Sequence, residues 1–227
     1  MRLAVLSDVH ADAAALRDAL ARIAEMRCDA VVCAGDLVDY GISPGETLAM
    51  LEKSGVPAIR GNHDRWANGE SAAKRSWDVT PASLAYLQAL PAAWDATFEG
   101  VRVAVRHGTP RSDMRGIYPR YTAPGELRDF LDEVAADVLV VGHTHIPFRI
   151  AVGDRVIVNP GALLREPGPR MAGRPLLFDP AQSRFVAGPG PAGGTFGVLE
   201  LPSRSFTVHR AVDGSVAPMI TMSISSP

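Results

Sequence analysis

The chain has 227 residues, 47% of them hydrophobic and 21% charged, with a formal net charge of −2. That is ordinary globular usage, long enough for one large domain with a buried core. The charge balance excludes the basic footprint of a nucleic-acid binder, and two cysteines exclude a disulfide framework or a four-cysteine zinc site.

Leu3–Leu6 reads as a buried strand. Met1 runs straight into it, without the basic start, apolar stretch and cleavage site of a secretory leader. No apolar run approaches the roughly 20 residues of a membrane span, so the expectation is a cytoplasmic protein with reduced thiols. Arginine outnumbers lysine 21 to 2, a bias that carries no functional reading. Residues 12–26 place Leu16, Leu20, Ile23 and Met26 at helical spacing. Ala30–Ala34 is a second strand, 46–53 a helix between Pro44 and Gly55, and Val56–Ile59 a third short strand. Strands separated by helices imply parallel pairing with the helices outside.

Pro81 opens a helix over 81–89. Residues 94–99 and 101–106 flank Gly100 as a hairpin. Pro124–Ala135 is a helix with Leu127, Phe130, Leu131 and Val134 on one face. Val138–Val141 is a strand, and 146–152 and 155–159 flank Gly153-Asp154 as a second hairpin. Residues 165–194 differ, since twelve of those thirty are Pro or Gly. They read as a mobile surface insertion, with a lid or an oligomer contact as the alternative. Inside them Arg174–Phe178 and Arg184–Ala187 have a hairpin pattern. Residues 195–201 and 205–210 are a closing strand pair, and Val216–Ile224 is an apolar tail, loose or in contact with another subunit.

Polar residues follow the strands, where open α/β sheets bind their ligands. They are Ser7-Asp8-Val9-His10, Gly35-Asp36-Leu37-Val38-Asp39, Gly61-Asn62-His63-Asp64, His107-Gly108, Gly142-His143-Thr144-His145 and Asn159-Pro160-Gly161. Alternate positions of an extended chain face one way, which lets Asp8 meet His10, and His143 meet His145. Taken singly, each Asp is a helix cap or turn residue and each His a satisfied polar group. Cys33 and Cys28 read as a core and a surface thiol. Taken together, five of the six histidines lie at strand ends. Burying so many ionisable groups without a metal is costly. Two Asp, one Asn and four His supply oxygen and nitrogen but no sulfur, which favours Mn, Fe, Co, Ni or Zn. The donors exceed the needs of one tetrahedral ion. Two ions sharing a carboxylate account for the surplus, an arrangement that clamps phosphoryl groups.

In this order the motifs resemble the calcineurin-like metallophosphoesterase superfamily, over residues 1–161 and again near 195–201. Asp39–Glu46 and Val56–Arg65 resemble its small prokaryotic single-domain phosphodiesterase branch, which also includes chains labelled protein phosphatases. The resemblance implies an α/β fold, a two-sheet β-sandwich flanked by helices on both outer faces. The length fits a single domain over 1–227, with a Pro/Gly-rich insertion at about 165–194 that has no counterpart in the family. The resemblance implies that Asp8, His10 and His145 hold one divalent metal, that Asn62, His107 and His143 hold the other, and that Asp36 bridges both. Of Mn, Fe, Ni, Co and Zn, Mn is favoured. His63 would protonate the leaving oxygen and Asp39 would orient His63, with Asp64 as local cap or support.

The implied activity is hydrolysis of a phosphodiester or phosphomonoester bond by a metal-bridging hydroxide. A non-catalytic metal-binding interaction scaffold of the same fold is the alternative. A small phosphoester is the expected partner, with Arg65 and Arg111 as candidate phosphate contacts. A phosphoprotein or a second copy of the chain is also open, and nucleic acid and membrane are not expected. Three departures stand out: Ala11-Asp12 where the branch has Gly-Asn, Ala162 where it has Ser, and the insertion itself. His209 has no role in this scheme and is read as structural.

Overall fold

The computed structural model describes residues 1–67, 79–165, 176–179, 184–187 and 194–225. Most of the predicted insertion lies outside these residues. Only the backbone of its hairpin is described, β8 (Leu176–Asp179) antiparallel to β9 (Arg184–Ala187).

One sheet has four strands in the order β11-β10-β1-β2. They are β1 (Arg2–Leu6), β2 (Ala30–Cys33), β10 (Thr195–Glu200) and β11 (Ser205–Arg210). β1 and β2 are parallel, as expected from the helix between them, whereas β10 joins β1 antiparallel. The second sheet has six strands in the order β12-β6-β7-β5-β4-β3. It contains β3 (Ala93–Phe98), β4 (Val101–Arg106), β5 (Val138–Val140), β6 (Phe148–Val152), β7 (Arg155–Asn159) and β12 (Ile220–Ile224).

Side chains alternate across each strand, and the core follows that alternation. Leu3 and Val5 of β1 meet Val103, Val105, Val138, Val140, Val156 and Val158 of the other sheet. Ala4 and Leu6 point the other way, onto α1 (Ala13–Glu25) and α2 (Pro44–Ser54) through Leu16, Ala19, Leu48 and Leu51. Leu87 of α4 (Pro81–Ala89) joins that layer. On the far face of the second sheet, Leu139, Ile150 and Ile157 pack on Leu127, Phe130 and Leu131 of α5 (Pro124–Glu133). The result is the expected two-sheet sandwich with helices on both outer faces. Strands buried on both sides explain the near-continuous apolar runs.

Two segments differ from expectation. Val56–Ile59 is not a full strand: it makes one parallel bridge, Ala58 to Cys33. Pro57 has no N–H to extend the ladder, and Arg60 turns its N–H to the Pro91 carbonyl. The C-terminal tail is not loose: Ile220–Ile224 pairs parallel with β6, with Ile220, Met222 and Ile224 against the α5 layer.

Candidate metal centre

β1 and β2 end beside β4 and β5, so the loops after four strands meet at one rim. Those after β1 and β2 carry Asp8, His10, Asp36 and Asp39, and those after β4 and β5 carry His107, His143 and His145. α3 (Asn62–Ala67) supplies Asn62 and His63. The side chains converge, but not by alternation along an extended strand. Asp8, His10, Asp36, His143 and His145 all have φ between 50° and 65°. This left-handed conformation costs about 1–2 kcal/mol for each non-glycine residue and concentrates at functional sites. Ala11 shares it at φ 58°, which accounts for the glycine that the resembling branch has there.

Close approach between loops depends on missing side chains. A Cβ on Gly61 would stand 2.1 Å from Asp36 Oδ1, and one on Gly142 would stand 2.0 Å from Ser7 Oγ. The same approach lets Ser7 Oγ donate to Asp8 Oδ2 at 2.7 Å and the His143 N–H donate to it at 3.1 Å. The His63 N–H donates to Asp36 Oδ1 at 2.9 Å. Asp64 accepts the N–H groups of Leu37, Val38 and Gly61 at 2.8, 3.2 and 2.8 Å, fastening the β2 loop to α3. Burial and the nearby Asp36 push its carboxyl up to about 7. Asp12 accepts from the Ala15 N–H at 2.8 Å and so caps α1.

Two groups of donors result, Asp8 with His10 and His145, and Asp36 with His107 and His143. In the first, His145 Nε2 is 3.1 Å from Asp8 Oδ1 and 3.1 Å from His10 Nε2. In the second, His107 Nε2 is 3.1 Å from Asp36 Oδ2. Asn62 Oδ1 stands 3.1 Å from His107 Nε2 and 2.9 Å from His143 Nδ1. Asp36 Oδ2 is also 3.8 Å from His10 Nε2, so one oxygen faces both groups.

These residues fit divalent cations. His10 Nδ1 donates to the Val38 carbonyl at 3.2 Å, and His107 Nδ1 to that of Ala34 at 2.8 Å. A neutral imidazole held this way presents the lone pair of Nε2. Around these nitrogens stand acceptor oxygens: Asp36 Oδ2 and Asn62 Oδ1 are 3.1 Å from His107 Nε2, and Asp8 Oδ1 and Asp36 Oδ2 are 3.8 Å from His10 Nε2. A cation between them turns that opposition into coordination. Buried Asp8 Oδ1 makes no well-formed hydrogen bond of its own. Among the protein groups alone, burial lowers His10 to about 3, so it is a neutral donor. Burial opposes charge on Asp8, but His145 and His107 hold its carboxyl down, at about 2. Burial likewise opposes charge on His107, yet Asp36 raises it to about 10, a proton standing in for positive charge.

His63 lies beside this cluster. Its Nδ1 is 2.9 Å from Asp39 Oδ2, the pairing expected from the sequence. Burial works against a charged imidazole, but the bond to Asp39 and the charge of Asp36 raise its pKa. Two aromatic neighbours carried no signal of their own in the sequence. Tyr40 packs on His63 at 4.6 Å between ring centroids and Trp66 at 4.8 Å. Only the i, i+3 spacing of His63 and Trp66 on α3 hints at the second contact. Ser7 was visible as part of a motif, but its grip on Asp8 was not.

Other predicted residues are placed differently. Arg65 makes a two-pronged bond to Asp113, at 2.7 and 3.0 Å. Arg111 is held by Glu133 at 2.6 Å and lies over the Phe130 ring. His209 bonds Thr207 and the Gly214 carbonyl and stacks on Phe196, a structural setting. Thr195 Oγ1 donates to the Pro160 carbonyl at 2.8 Å, over the turn where Ala162 lacks a hydroxyl. A cavity of about 390 Å³ opens at the start of α1, lined by Ala11, Asp12, Gly41, Ile42, Ser43 and Arg165, with none of the clustered donors. No helix among the described residues is long and apolar enough to cross a membrane.

Comparison with known proteins adds an independent line. The profile of the calcineurin-like phosphoesterase superfamily domain matches residues 1–175. A probable metallophosphoesterase of Methanothermobacter thermautotrophicus is 31% identical over 169 residues, covering 71% of this chain and 77% of that protein. The crystal structure of a metallophosphoesterase from Sphaerobacter thermophilus is similar with TM-score 0.67 and 25% identity, covering 92% of this chain and 88% of that one. A hypothetical protein from Pyrococcus horikoshii shares the fold at TM-score 0.70 and 15% identity, covering 92% and 87% of the two chains.

Proposed function

The chain belongs to the calcineurin-like phosphoesterase superfamily and is a metal-dependent phosphoric ester hydrolase, and we propose that it works with two divalent ions. Asp8, His10 and His145 hold one, Asn62, His107 and His143 hold the other, and Asp36 serves both. The observation that carries this reading is the single oxygen Asp36 Oδ2, 3.8 Å from His10 Nε2 and 3.1 Å from His107 Nε2. When bound, such ions stabilise charge on the phosphoryl oxygens and acidify a water. We favour Mn²⁺, which accepts this nitrogen and oxygen donor set.

The chain's own groups do the rest. Asp39 takes the Nδ1–H of His63, which leaves Nε2 as the atom that carries a proton to the leaving oxygen. The bond also fixes the plane of the imidazole. Asp64 and Ser7 hold the loops that carry the donors. Both candidate phosphate contacts are engaged within the chain, Arg65 by Asp113 and Arg111 by Glu133 and Phe130; Arg65, which sits on α3 with His63, would have to leave Asp113 to reach a phosphate. The substrate is a small phosphoester, either diester or monoester. Residues 1–227 act as one catalytic domain. The free thiols Cys28 and Cys33 suit a reducing cytoplasm.

Chelator treatment followed by Mn²⁺ should abolish and then restore hydrolysis of bis(p-nitrophenyl) phosphate. Comparison with p-nitrophenyl phosphate and 2′,3′-cyclic nucleotides on the same preparation separates diesterase from monoesterase. No hydrolysis of any of the three with Mn, Fe, Co, Ni or Zn refutes the proposal.

A further inference from the structure

We infer that Tyr40 and Trp66 form a seat for a planar aromatic ring carried by the leaving alcohol of the substrate. The inference rests on the proposed role of His63 and extends it to substrate class. A leaving oxygen protonated by His63 must lie at that imidazole, so the atoms beyond it lie against whatever surrounds His63. Two of those neighbours are aromatic rings rather than charges. Tyr40 is 4.6 Å from His63 between centroids and tilted against it, and Trp66 is 4.8 Å away and edge-on. The nearest cation along α3, Arg65, already has both prongs on Asp113.

The placement of both rings is specific. Asp39 and Tyr40 have φ of 76° and 58°, a backbone state disfavoured for a bulky residue. That strained pair brings the Asp39 carboxylate to His63 Nδ1 and the Tyr40 ring to within 4.5 Å of His10 and 4.6 Å of His63. Trp66 is 38% exposed, although most large apolar side chains among the described residues are buried. An indole half in water beside a reactive imidazole offers area to a ligand, and flat rings are the ligands that use it best. An aryl alcohol and a nucleobase both supply such a ring, since both stack in the same way.

Benzyl phosphate and cyclohexylmethyl phosphate test this, because they share charge and a primary leaving oxygen and differ only in a flat or puckered ring. Each is titrated calorimetrically into the full chain loaded with Mn²⁺, and each competes against bis(p-nitrophenyl) phosphate hydrolysis. Adenosine 5′-monophosphate against ribose 5-phosphate repeats the comparison for a nucleobase. The expected result is about a tenfold preference for the flat ring in at least one pair. Trp66→Leu and Tyr40→Leu should each reduce it to about twofold or less, Trp66→Phe should keep it, and affinity for inorganic phosphate should hold in all three. Equal affinities in both pairs, or a preference that survives both leucine variants, overturn the inference. If bis(p-nitrophenyl) phosphate is hydrolysed but no preference appears, the seat alone is wrong. If nothing is hydrolysed yet the preference and its loss in the variants appear by calorimetry, the catalytic reading fails, and Tyr40 and Trp66 bind a flat ring without its belonging to a leaving alcohol.

Discussion

Gly142→Ala tests whether the donors are held by contact between the two sheets. The added Cβ would stand 2.0 Å from Ser7 Oγ and 2.9 Å from Asp8 Oδ2, where ordinary contact begins at 3.4 Å. The Ser7 hydroxyl must therefore leave its place, and with it the 2.7 Å bond to Asp8. A hydrogen bond to a charged acceptor contributes about 1.5–3 kcal/mol, and overpacking costs about 1–3 kcal/mol. Allowing for partial relaxation, the variant should lose about 2–4 kcal/mol. For a chain of this size each kcal/mol lowers Tm by about 2–4 °C, so thermal denaturation should show a fall of about 4–16 °C. Asp8 loses its orientation as well, which should weaken Mn²⁺ binding about 10–100-fold in equilibrium dialysis. Ser7→Ala in the same chain removes the atom that clashes hardest. The double variant should therefore be more stable than the sum of the singles by about 1 kcal/mol or more. A Gly142→Ala protein with wild-type Tm and wild-type Mn²⁺ affinity would show that this contact does not position Asp8.

Other residues give sharper chemical outcomes. His63→Ala should lower kcat by about 10²–10⁴-fold while elemental analysis still finds both metals; loss of one metal would instead make His63 a ligand. Asp36→Asn removes the charge shared by both donor groups, and the purified protein should bind fewer than two Mn²⁺ per chain by inductively coupled plasma analysis. Full double occupancy with wild-type affinity would remove Asp36 from the bridging role. Asp64→Ala leaves three buried N–H groups without an acceptor. At about 1–3 kcal/mol for each unsatisfied group, urea denaturation should show a loss of at least about 3 kcal/mol, and a loss below about 1 kcal/mol would mean that the loop finds other partners.

The hairpins around Gly100 and Gly153 and the helix opened by Pro81 were legible because local chemistry decides them. Turn glycines and an N-terminal proline act within a few residues. Val56–Ile59 was misjudged because its apolar pattern is real but its ladder is cut short by Pro57 and by the distant Pro91 carbonyl. β12 was missed although Ile220, Met222 and Ile224 alternate with Thr221 and Ser223, the signature of a half-buried strand. The apolar count of the tail hid that period. At the centre, the types and order of the donors were legible, and so was the pairing of His63 with Asp39. The way Asp8 meets His10 was not, because left-handed backbone is imposed by the other loops and leaves no local trace in these residues. Arg111 shows the reverse limit: proximity in sequence to His107 says nothing of Glu133, which lies 22 residues further on and takes the guanidinium.

The rim draws Asp8, His10 and Asp36 from the four-stranded sheet and His107, His143 and His145 from the six-stranded one. Each donor group therefore contains side chains from both halves of the sandwich. An ion bound there would be a rivet through the interface between sheets as well as a reagent. Linkage then makes the cohesion of the sandwich depend on metal supply: an ion present at about a thousand times its Kd adds about 4 kcal/mol to folding stability. Metal starvation should accordingly raise amide exchange first in β1, β2, β4 and β5 and not in β12, which ties the lifetime of the protein in the cell to the same ions that its reaction requires.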